Sequence, residues 1–229
     1  MLVLTVIRFH HVSKTLSNQQ NGSLKVAKRC LWLTLLLMLM CGAQAAYMPI
    51  KGQLAQLLMM RSWQLATTQA ASAAQSGNSG QPFKAEPPWP WADTRPSLLL
   101  TTAEASWLVM DQSHGEALAF GPGMMAGSFA PGSGGETVIA GHRDTHFKSL
   151  AQLQLGQQLT LTDVMGTRFY YRVSRIAIID SSLYDLTVSP VQARLLLVTC
   201  FPFDQVTQGP LRYVVEADLI SQHEKRGEG

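Results

Sequence analysis

The run LLLVTCFPFD, residues 195–204, bears on both the fold class and the chemistry of this chain. Four aliphatic residues lead into Thr199 and Cys200, and the Phe201-Pro202 pair then interrupts the run. A short apolar run bounded by a turn signal is typical of a buried strand. A buried thiol at its end would be an inert small hydrophobe, whereas an exposed one would be a nucleophile. From this run alone, both interpretations of Cys200 stay open.

Similar short runs recur from about residue 98 to the C-terminal region, separated by Gly and Pro. They are SWLVMD (106–111), ALAFGPG (117–123), ETVIAGH (136–142), QLTLTD (158–163), TRFYYRVSRIAIID (167–180), RLLLVTC (194–200) and LRYVVEADLI (211–220). Several short strands with regular turn signals predict an all-β domain, either a small sandwich or a barrel. A short helix is expected within residues 145–153.

Composition narrows the function classes. The 229 residues carry a formal net charge of +3, and Lys and Arg are scattered without a basic stripe, which argues against a nucleic-acid partner. The three cysteines, Cys30, Cys41 and Cys200, form no C-x-x-C motif, so neither a disulfide scaffold nor a zinc ribbon is indicated. We recognise no cofactor motif and expect no cofactor.

The N-terminal region predicts a membrane anchor. Residues 31–48 are apolar and uncharged, and basic residues precede them, which favours a cytoplasmic tail over residues 1–30 and an exported remainder. We therefore expect a single-pass signal anchor. Cleavage after Ala43-Gln44-Ala45 is the main alternative, and lipid attachment at Cys41 is a weaker one because bulky Met40 precedes it.

Residues 49–96 are predicted to form a helical stalk followed by a linker. Helix formers fill the first half, with one face made of Leu54, Leu57, Leu58, Arg61 and Leu65. We expect this face to belong to a stalk or to lie on the bilayer. A stretch rich in Gly, Ser and Pro then leads into a domain over residues 97–221.

Three strand ends of that domain carry reactive side chains. His142 follows Gly141, Cys200 ends an apolar run, and Arg212 opens the next strand. If they converge, an imidazole can activate the thiol and a guanidinium can stabilise an oxyanion, which suits acyl transfer through a thioester. Taken singly, each of the three is an ordinary residue.

A zinc site is a further alternative for the same region. His142 and His146 are four residues apart, and Asp144 and Cys200 would complete a ligand set. The zincin pattern H-E-x-x-H fails, however, because Arg143 stands where Glu is required.

Three separated motifs resemble the sortase family. They are TVIAGHRDTHF (137–147), LLLVTC (195–200) and GPLRYVVEA (209–217). More narrowly, with WPWADT (89–94) and CFPFD (200–204), the chain resembles the sortases of Gram-negative proteobacteria. The resemblance covers residues 89–220. It implies a closed eight-stranded β-barrel with short helices, preceded by the N-terminal membrane helix and linker.

The resemblance also implies an activity and its residues. A membrane-tethered cysteine transpeptidase would cleave the C-terminal sorting signal of an exported protein and transfer that protein to an amine acceptor in the envelope. Cys200 matches the nucleophile, His142 the family's histidine and Arg212 its arginine, while Thr199 and Phe201 are expected to contact substrate. Leu196 stands where the family usually has Thr.

The catalytic domain is expected on the periplasmic side of the cytoplasmic (inner) membrane. Calcium activation is not expected, because the loop between Cys200 and Arg212 has no acidic cluster. Two other functions stay open: a thiol peptidase that uses water as the acceptor, and a non-catalytic exported binding module in which Cys200 is buried.

Overall fold

The computed structural model describes residues 2–76, 83–114, 117–183, 188–205, 207 and 209–223, with side chains from residue 28 onward except 48 and 49. Helix α1 covers Leu2–Gln75. Its residues up to Gln53 form one compact unit, and the chain from Leu54 onward forms a second. The Gly/Ser-rich part of the predicted linker, residues 77–82, lies outside the described residues.

The first unit consists of helix alone. Between Lys28 and Gln75, α1 contains a window long and apolar enough to cross a membrane, judged by length and composition. Its side chains from Leu31 to Met40 are exposed, as a lipid-facing helix requires. Because a signal sequence has the same properties, the anchor over residues 31–48 stays a prediction.

The second unit contains a closed barrel of eight strands, which confirms the fold class implied by the resemblance. The strands are β1 (Pro96–Thr101), β2 (Ser106–Met110), β3 (Gly123–Met124), β4 (Thr137–Ala140), β5 (Gln158–Asp163), β6 (Arg168–Asp180), β7 (Arg194–Cys200) and β8 (Leu211–His223). Around the barrel they follow the order β1-β2-β3-β4-β7-β8-β6-β5. The pairs β2–β3 and β4–β7 are parallel, and all other neighbours are antiparallel.

Alternation along the strands divides the apolar residues between two faces. Leu195, Leu197 and Thr199 of β7 point to the barrel interior, whereas Leu196, Val198 and Cys200 point outward. The interior core is drawn from almost every strand. It comprises Leu98, Leu100, Val109, Ile139, Phe147, Leu150, Leu153, Leu159, Leu161, Phe169, Tyr171, Val173, Leu195, Leu197, Val215 and Ala217.

The C-terminal part of α1 packs on the outside of β1 and β2. Met59, Trp63, Ala66 and Ala70 form the packed face and meet, among others, Leu108 and Met110 of β2. Burial of each large side chain contributes about 1.5–3 kcal/mol. The face identified from sequence is a different one. Its members Leu54, Leu57 and Leu65 are exposed.

One local prediction differs from the structure, and another is confirmed. The run ALAFGPG was expected to be β-like, but its first four residues form a short helix, α2 (Ala117–Phe120). The reason is tertiary, because Ala117 is fully buried in the cluster that α1 forms against the barrel. The helix expected within residues 145–153 exists as a 3-10 helix, Lys148–Gln152.

Candidate active site

Strand pairing brings the three reactive residues to one end of the barrel. In the parallel pair β4–β7, Ala140 lies opposite Val198, so the residues that follow each strand emerge side by side. In the antiparallel pair β7–β8, Cys200 lies directly opposite Arg212. Cross-strand partners have Cβ atoms about 4.5–5.5 Å apart, so these two side chains are neighbours on the outer face.

A buried hydrogen bond joins the residue before Cys200 to the residue before His142. The Thr199 hydroxyl donates to the carbonyl oxygen of Gly141 over 2.7 Å, and the Gly141 N–H donates to the Val198 carbonyl over 3.1 Å. Thr199 is only 2% exposed. Its side chain is therefore enclosed at this bond, whereas Cys200 is half-buried and His142 is exposed.

A tight turn over residues 142–147 holds the backbone of His142. The Phe147 N–H donates to the His142 carbonyl over 3.0 Å, and the fully buried Phe147 ring packs edge-on against Trp107. A side chain at position 141 would meet that ring, because a Cβ there would lie 2.8 Å from its Cγ and Cδ2 atoms. Glycine is therefore required before His142 for lack of space.

A second histidine lies close to the first. Burial lowers the pKa of His146, the nearby His142 lowers it further, and Asp144 opposes both effects. His146 is therefore biased toward the neutral imidazole, while His142 is exposed to solvent. Among the described residues, no group of three or more His, Cys, Asp or Glu side chains could hold a metal ion, so the zinc alternative gains no support.

The Arg212 guanidinium is held by two backbone carbonyls. Its Nη1 donates to the carbonyl oxygens of Gly209 over 2.6 Å and Leu211 over 3.0 Å. Gly209 lies in the loop that connects β7 to β8 and Leu211 is the first residue of β8, so one edge of the guanidinium is fixed where the loop enters the strand. The side chain is half-buried on the same face of the sheet as Cys200.

The outward side chains beside Cys200 are apolar, which is unusual for the outside of a barrel. We call this set the outer apolar face; it consists of Val138, Leu196, Val198 and Val214. Met125, Ile179 and Val188 pack on it from neighbouring segments. The four side chains are only 2–8% exposed, so they form a buried apolar layer on the outside of β4, β7 and β8, next to Cys200.

Two aromatic residues follow Cys200 in the chain and pack against Tyr213 of β8. Phe201 stacks on Tyr213 with ring centroids 6.2 Å apart, and Phe203 meets the edge of Tyr213 at 5.1 Å. The Phe201 N–H donates to the Leu211 carbonyl over 3.0 Å. Phe201 thus remains half-exposed next to Cys200, while Phe203 and Tyr213 pack against the barrel core.

Sequence reasoning did not single out Arg143, which the structure places at the same end of the barrel. Its side chain is 7% exposed, and Nη2 donates to the Thr207 carbonyl over 2.8 Å. It thereby ties the β7–β8 loop to the turn that carries His142. The position next to His142 was its only signal, because a charged residue in a turn is usually solvated.

The fold and these strand ends define a β-barrel protein with a cysteine, a histidine and an arginine at one rim. The family model of the sortase domain matches residues 100–220, more than half of the chain. The chain therefore belongs to the sortase family.

One curated relative is Sortase D of Bacillus subtilis (strain 168), 32% identical over 114 residues. The match covers 49% of this chain and 57% of the relative, so the chain spans less than two thirds of that protein's length.

Two solved structures share the fold. A Clostridium perfringens Sortase D5 transpeptidase is 20% identical with a TM-score of 0.55, covering 72% of this chain and 99% of that one. Sortase A from Corynebacterium diphtheriae is 22% identical with a TM-score of 0.50, covering 59% of this chain and 66% of that one. The narrower resemblance to sortases of Gram-negative proteobacteria stays a prediction.

Proposed function

We propose that this chain is a sortase-type cysteine transpeptidase that acts through Cys200, His142 and Arg212. The observation that carries the proposal is the joint placement of these residues. Cys200 lies opposite Arg212 in the β7–β8 register, and the hydrogen bond from Thr199 to Gly141 joins the residue before Cys200 to the residue before His142. A half-buried thiol at a strand end with a neighbouring imidazole is the arrangement of an activated nucleophile.

The proposed mechanism has two acyl-transfer steps. The Cys200 thiolate attacks a carbonyl carbon of the sorting signal, by family resemblance that of a Thr, and the peptide C–N bond breaks as the thioester forms. His142, as imidazolium, gives its proton to the leaving amine. The incoming amine then attacks the thioester and loses a proton to the now neutral His142, and the thiolate leaves.

Arg212 is proposed to stabilise the oxyanion formed in both steps. Nη1 is held by the carbonyls of Gly209 and Leu211, and the other guanidinium N–H groups make no hydrogen bond to the described residues, so we propose that they point at the reacting carbonyl. A preorganised donor of this kind costs no rearrangement during the reaction. Loss of one such donor typically lowers the rate by about 10²–10³.

The outer apolar face lies beneath the proposed substrate site. Val138, Leu196, Val198 and Val214 are only 2–8% exposed beneath Met125, Ile179 and Val188, so they form the buried apolar support of the site next to the thiol and not its exposed surface. Phe201 is half-exposed at the same rim and is proposed to line this site. Thr199 is too buried to touch substrate directly, so we assign it a positioning role.

The proposed setting is the periplasmic side of the cytoplasmic membrane. Residues 31–48 would anchor the chain there, since α1 contains a span of sufficient length and apolarity. The partners would be an exported protein with a C-terminal sorting signal and an amine acceptor in the envelope.

The test uses the full chain in detergent with a pool of synthetic peptides in which a Pro and a following Thr are fixed and the flanking positions vary. We expect mass spectrometry to find a peptide acyl group on Cys200, and added hydroxylamine or triglycine to appear ligated to that acyl fragment. Cys200→Ala should lose both products.

Three results would contradict the proposal or part of it. Cleavage by Cys200→Ala would refute the thioester mechanism. Cleavage without ligation at any amine concentration would instead identify a thiol peptidase that uses water. A Cys200 inert to iodoacetamide in the folded chain would identify a non-catalytic binding module.

A further inference from the structure

The backbone segment that leads to Arg212 is held through three consecutive carbonyl oxygens. Those of Gly209 and Leu211 accept from Nη1 of Arg212 over 2.6 and 3.0 Å. The carbonyl between them, that of Pro210, accepts instead from Ser181, whose N–H donates over 2.9 Å and whose Oγ donates over 2.7 Å. Ser181 therefore binds the centre of the backbone arc that holds the guanidinium.

Ser181 itself lies in a tight turn that directly follows β6. The Leu183 N–H donates to the Asp180 carbonyl over 3.1 Å, and Oδ1 of Asp180 accepts from the Ser182 N–H over 2.8 Å and from the Ser182 hydroxyl over 2.5 Å. These bonds lie within residues 180–183, so the turn is held by its own backbone and side chains. Its base is fixed as well, because Asp180 is the last residue of β6 and pairs with Leu211 of β8.

Arg212 lies on β8, between β6 and β7. On the β7 side it lies opposite Cys200, and just beyond this pair the Phe201 N–H donates to the Leu211 carbonyl over 3.0 Å. On the β6 side, the two bonds from Ser181 are the corresponding contact just beyond the last paired residues. The backbone that enters β8 is therefore held from both sides, and the Ser181 hydroxyl is the side-chain part of that hold.

We propose that Ser181 is a positioning residue for Arg212: through the Pro210 carbonyl, its hydroxyl keeps the guanidinium where it stabilises the oxyanion. This assignment rests on the proposed function and deepens it, because it names a contact that fixes the proposed oxyanion donor. Such a donor is most effective when it is in place before the charge develops. Ser181 uses both its N–H and its O–H on Pro210, so its effect should reach the reaction through the backbone that holds Arg212.

The experiment compares Ser181→Ala with Ser133→Ala in the full chain in detergent. Ser133 is an exposed serine in the segment before β4, and it also donates both its N–H and its Oγ to one carbonyl oxygen, that of Ala130, over 3.1 and 2.7 Å. Each variant loses the hydroxyl and keeps the N–H bond.

The probe is the peptide that the wild-type chain cleaves best from the pool with fixed Pro and Thr. We expect Ser181→Ala to lower kcat about 2- to 10-fold, the factor that loss of one hydrogen bond corresponds to. KM should stay at the wild-type value, because the lost contact acts only on the transition state. Ser133→Ala should keep the wild-type kcat and KM.

Three further readouts separate the positioning of Arg212 from a general effect on structure. Alkylation of Cys200 by iodoacetamide forms no oxyanion, so it should proceed at the wild-type rate in both variants. In a chain that already carries Arg212→Ala, the slow acylation of Cys200 should change by less than about twofold on adding Ser181→Ala, because the two residues act as one unit. Ser181→Thr keeps a hydroxyl at this position and should lose less kcat than Ser181→Ala.

The results that would overturn this role differ in what they leave standing. If the wild-type chain forms no thioester, the proposed function fails and this role fails with it. If the wild-type chain cleaves peptide and Ser181→Ala loses no more kcat than Ser133→Ala, the positioning role is wrong while the proposed function stands. The role is also wrong if Ser181→Ala has the same effect with and without Arg212, or if it slows the alkylation of Cys200, since Ser181 would then act by another route.

Discussion

Replacing Thr199 by valine tests the link between the two strand ends. Valine has the shape of threonine without the hydroxyl, so Thr199→Val leaves no cavity and removes only the 2.7 Å bond to the Gly141 carbonyl. That carbonyl is then left without this donor in a buried position. The expected loss of unfolding free energy is about 1–3 kcal/mol, the cost of leaving a buried polar group unsatisfied.

The functional effect should exceed the effect on stability. Without the bond, the backbone that leads to His142 is no longer fixed to the backbone that leads to Cys200. A misplacement of about 1 Å between reacting groups can cost a factor on the order of 10². We therefore expect kcat for peptide cleavage to fall about 10- to 100-fold, with KM nearly unchanged because the outer apolar face keeps its shape.

Thr137→Val is the matched control. Thr137 is also fully buried, and its hydroxyl donates to the Phe129 carbonyl over 3.0 Å at the opposite end of β4. It should lose at least as much stability in urea unfolding, because it also loses a side-chain hydrogen bond to Tyr171, and it should keep the wild-type kcat. Equal losses of kcat in both variants, or a wild-type kcat in Thr199→Val, would show that the Thr199–Gly141 bond is only structural.

Two further predictions concern the turn under His142 and the behaviour at high pH. Gly141→Ala should lower the free energy of unfolding by about 1–3 kcal/mol and lower kcat, because its Cβ would press on the buried Phe147 ring; a wild-type kcat in the folded variant would contradict this role of glycine. Burial raises the pKa of Tyr171 to about 12, against partial compensation from hydrogen bonds to Thr137 and Gly132. The buried, protonated Tyr171 contributes fully to the free energy of unfolding below about pH 10. This contribution is lost as the pH rises toward about 12, because the tyrosine of the unfolded chain loses its proton at a lower pH than that of the folded chain. The wild-type chain should thus lose about 2–3 kcal/mol more than Tyr171→Phe over this interval in urea titrations, and parallel losses would refute the assignment.

Much of the barrel could be predicted from local pattern. The runs QLTLTD and RLLLVTC coincide with β5 and β7, because apolar and β-branched residues between turn signals leave few other local structures open. The run ALAF carries the same apolar character yet forms a helix. Its conformation depends on α1, which packs on Ala117 from more than 40 positions earlier in the chain.

Some residues of the candidate site could likewise be predicted from the sequence, and others could not. Sequence motifs named Cys200, His142 and Arg212, because a residue type at the end of a strand is visible in the sequence. The sequence could not show that the Thr199 hydroxyl joins the two strand ends. Its hydrogen-bond acceptor, Gly141, is 58 positions away, and only the parallel β4–β7 pairing brings the two residues together. Arg143 gave no signal beyond its position next to His142, because a charged residue in a turn is ordinarily solvated.

What the sequence by itself determined is therefore the family, the strand-forming segments and the chemical identity of the reactive groups, all of which are local properties of residues and motifs. Tertiary structure alone decided which face of α1 meets the barrel, that Thr199 points inward, and that the buried Arg143 joins the β7–β8 loop to the turn that carries His142. The physical reason is that burial and pairing depend on the closed order of strands. Residues far apart in the chain become neighbours only when β4, β7 and β8 are aligned in the barrel.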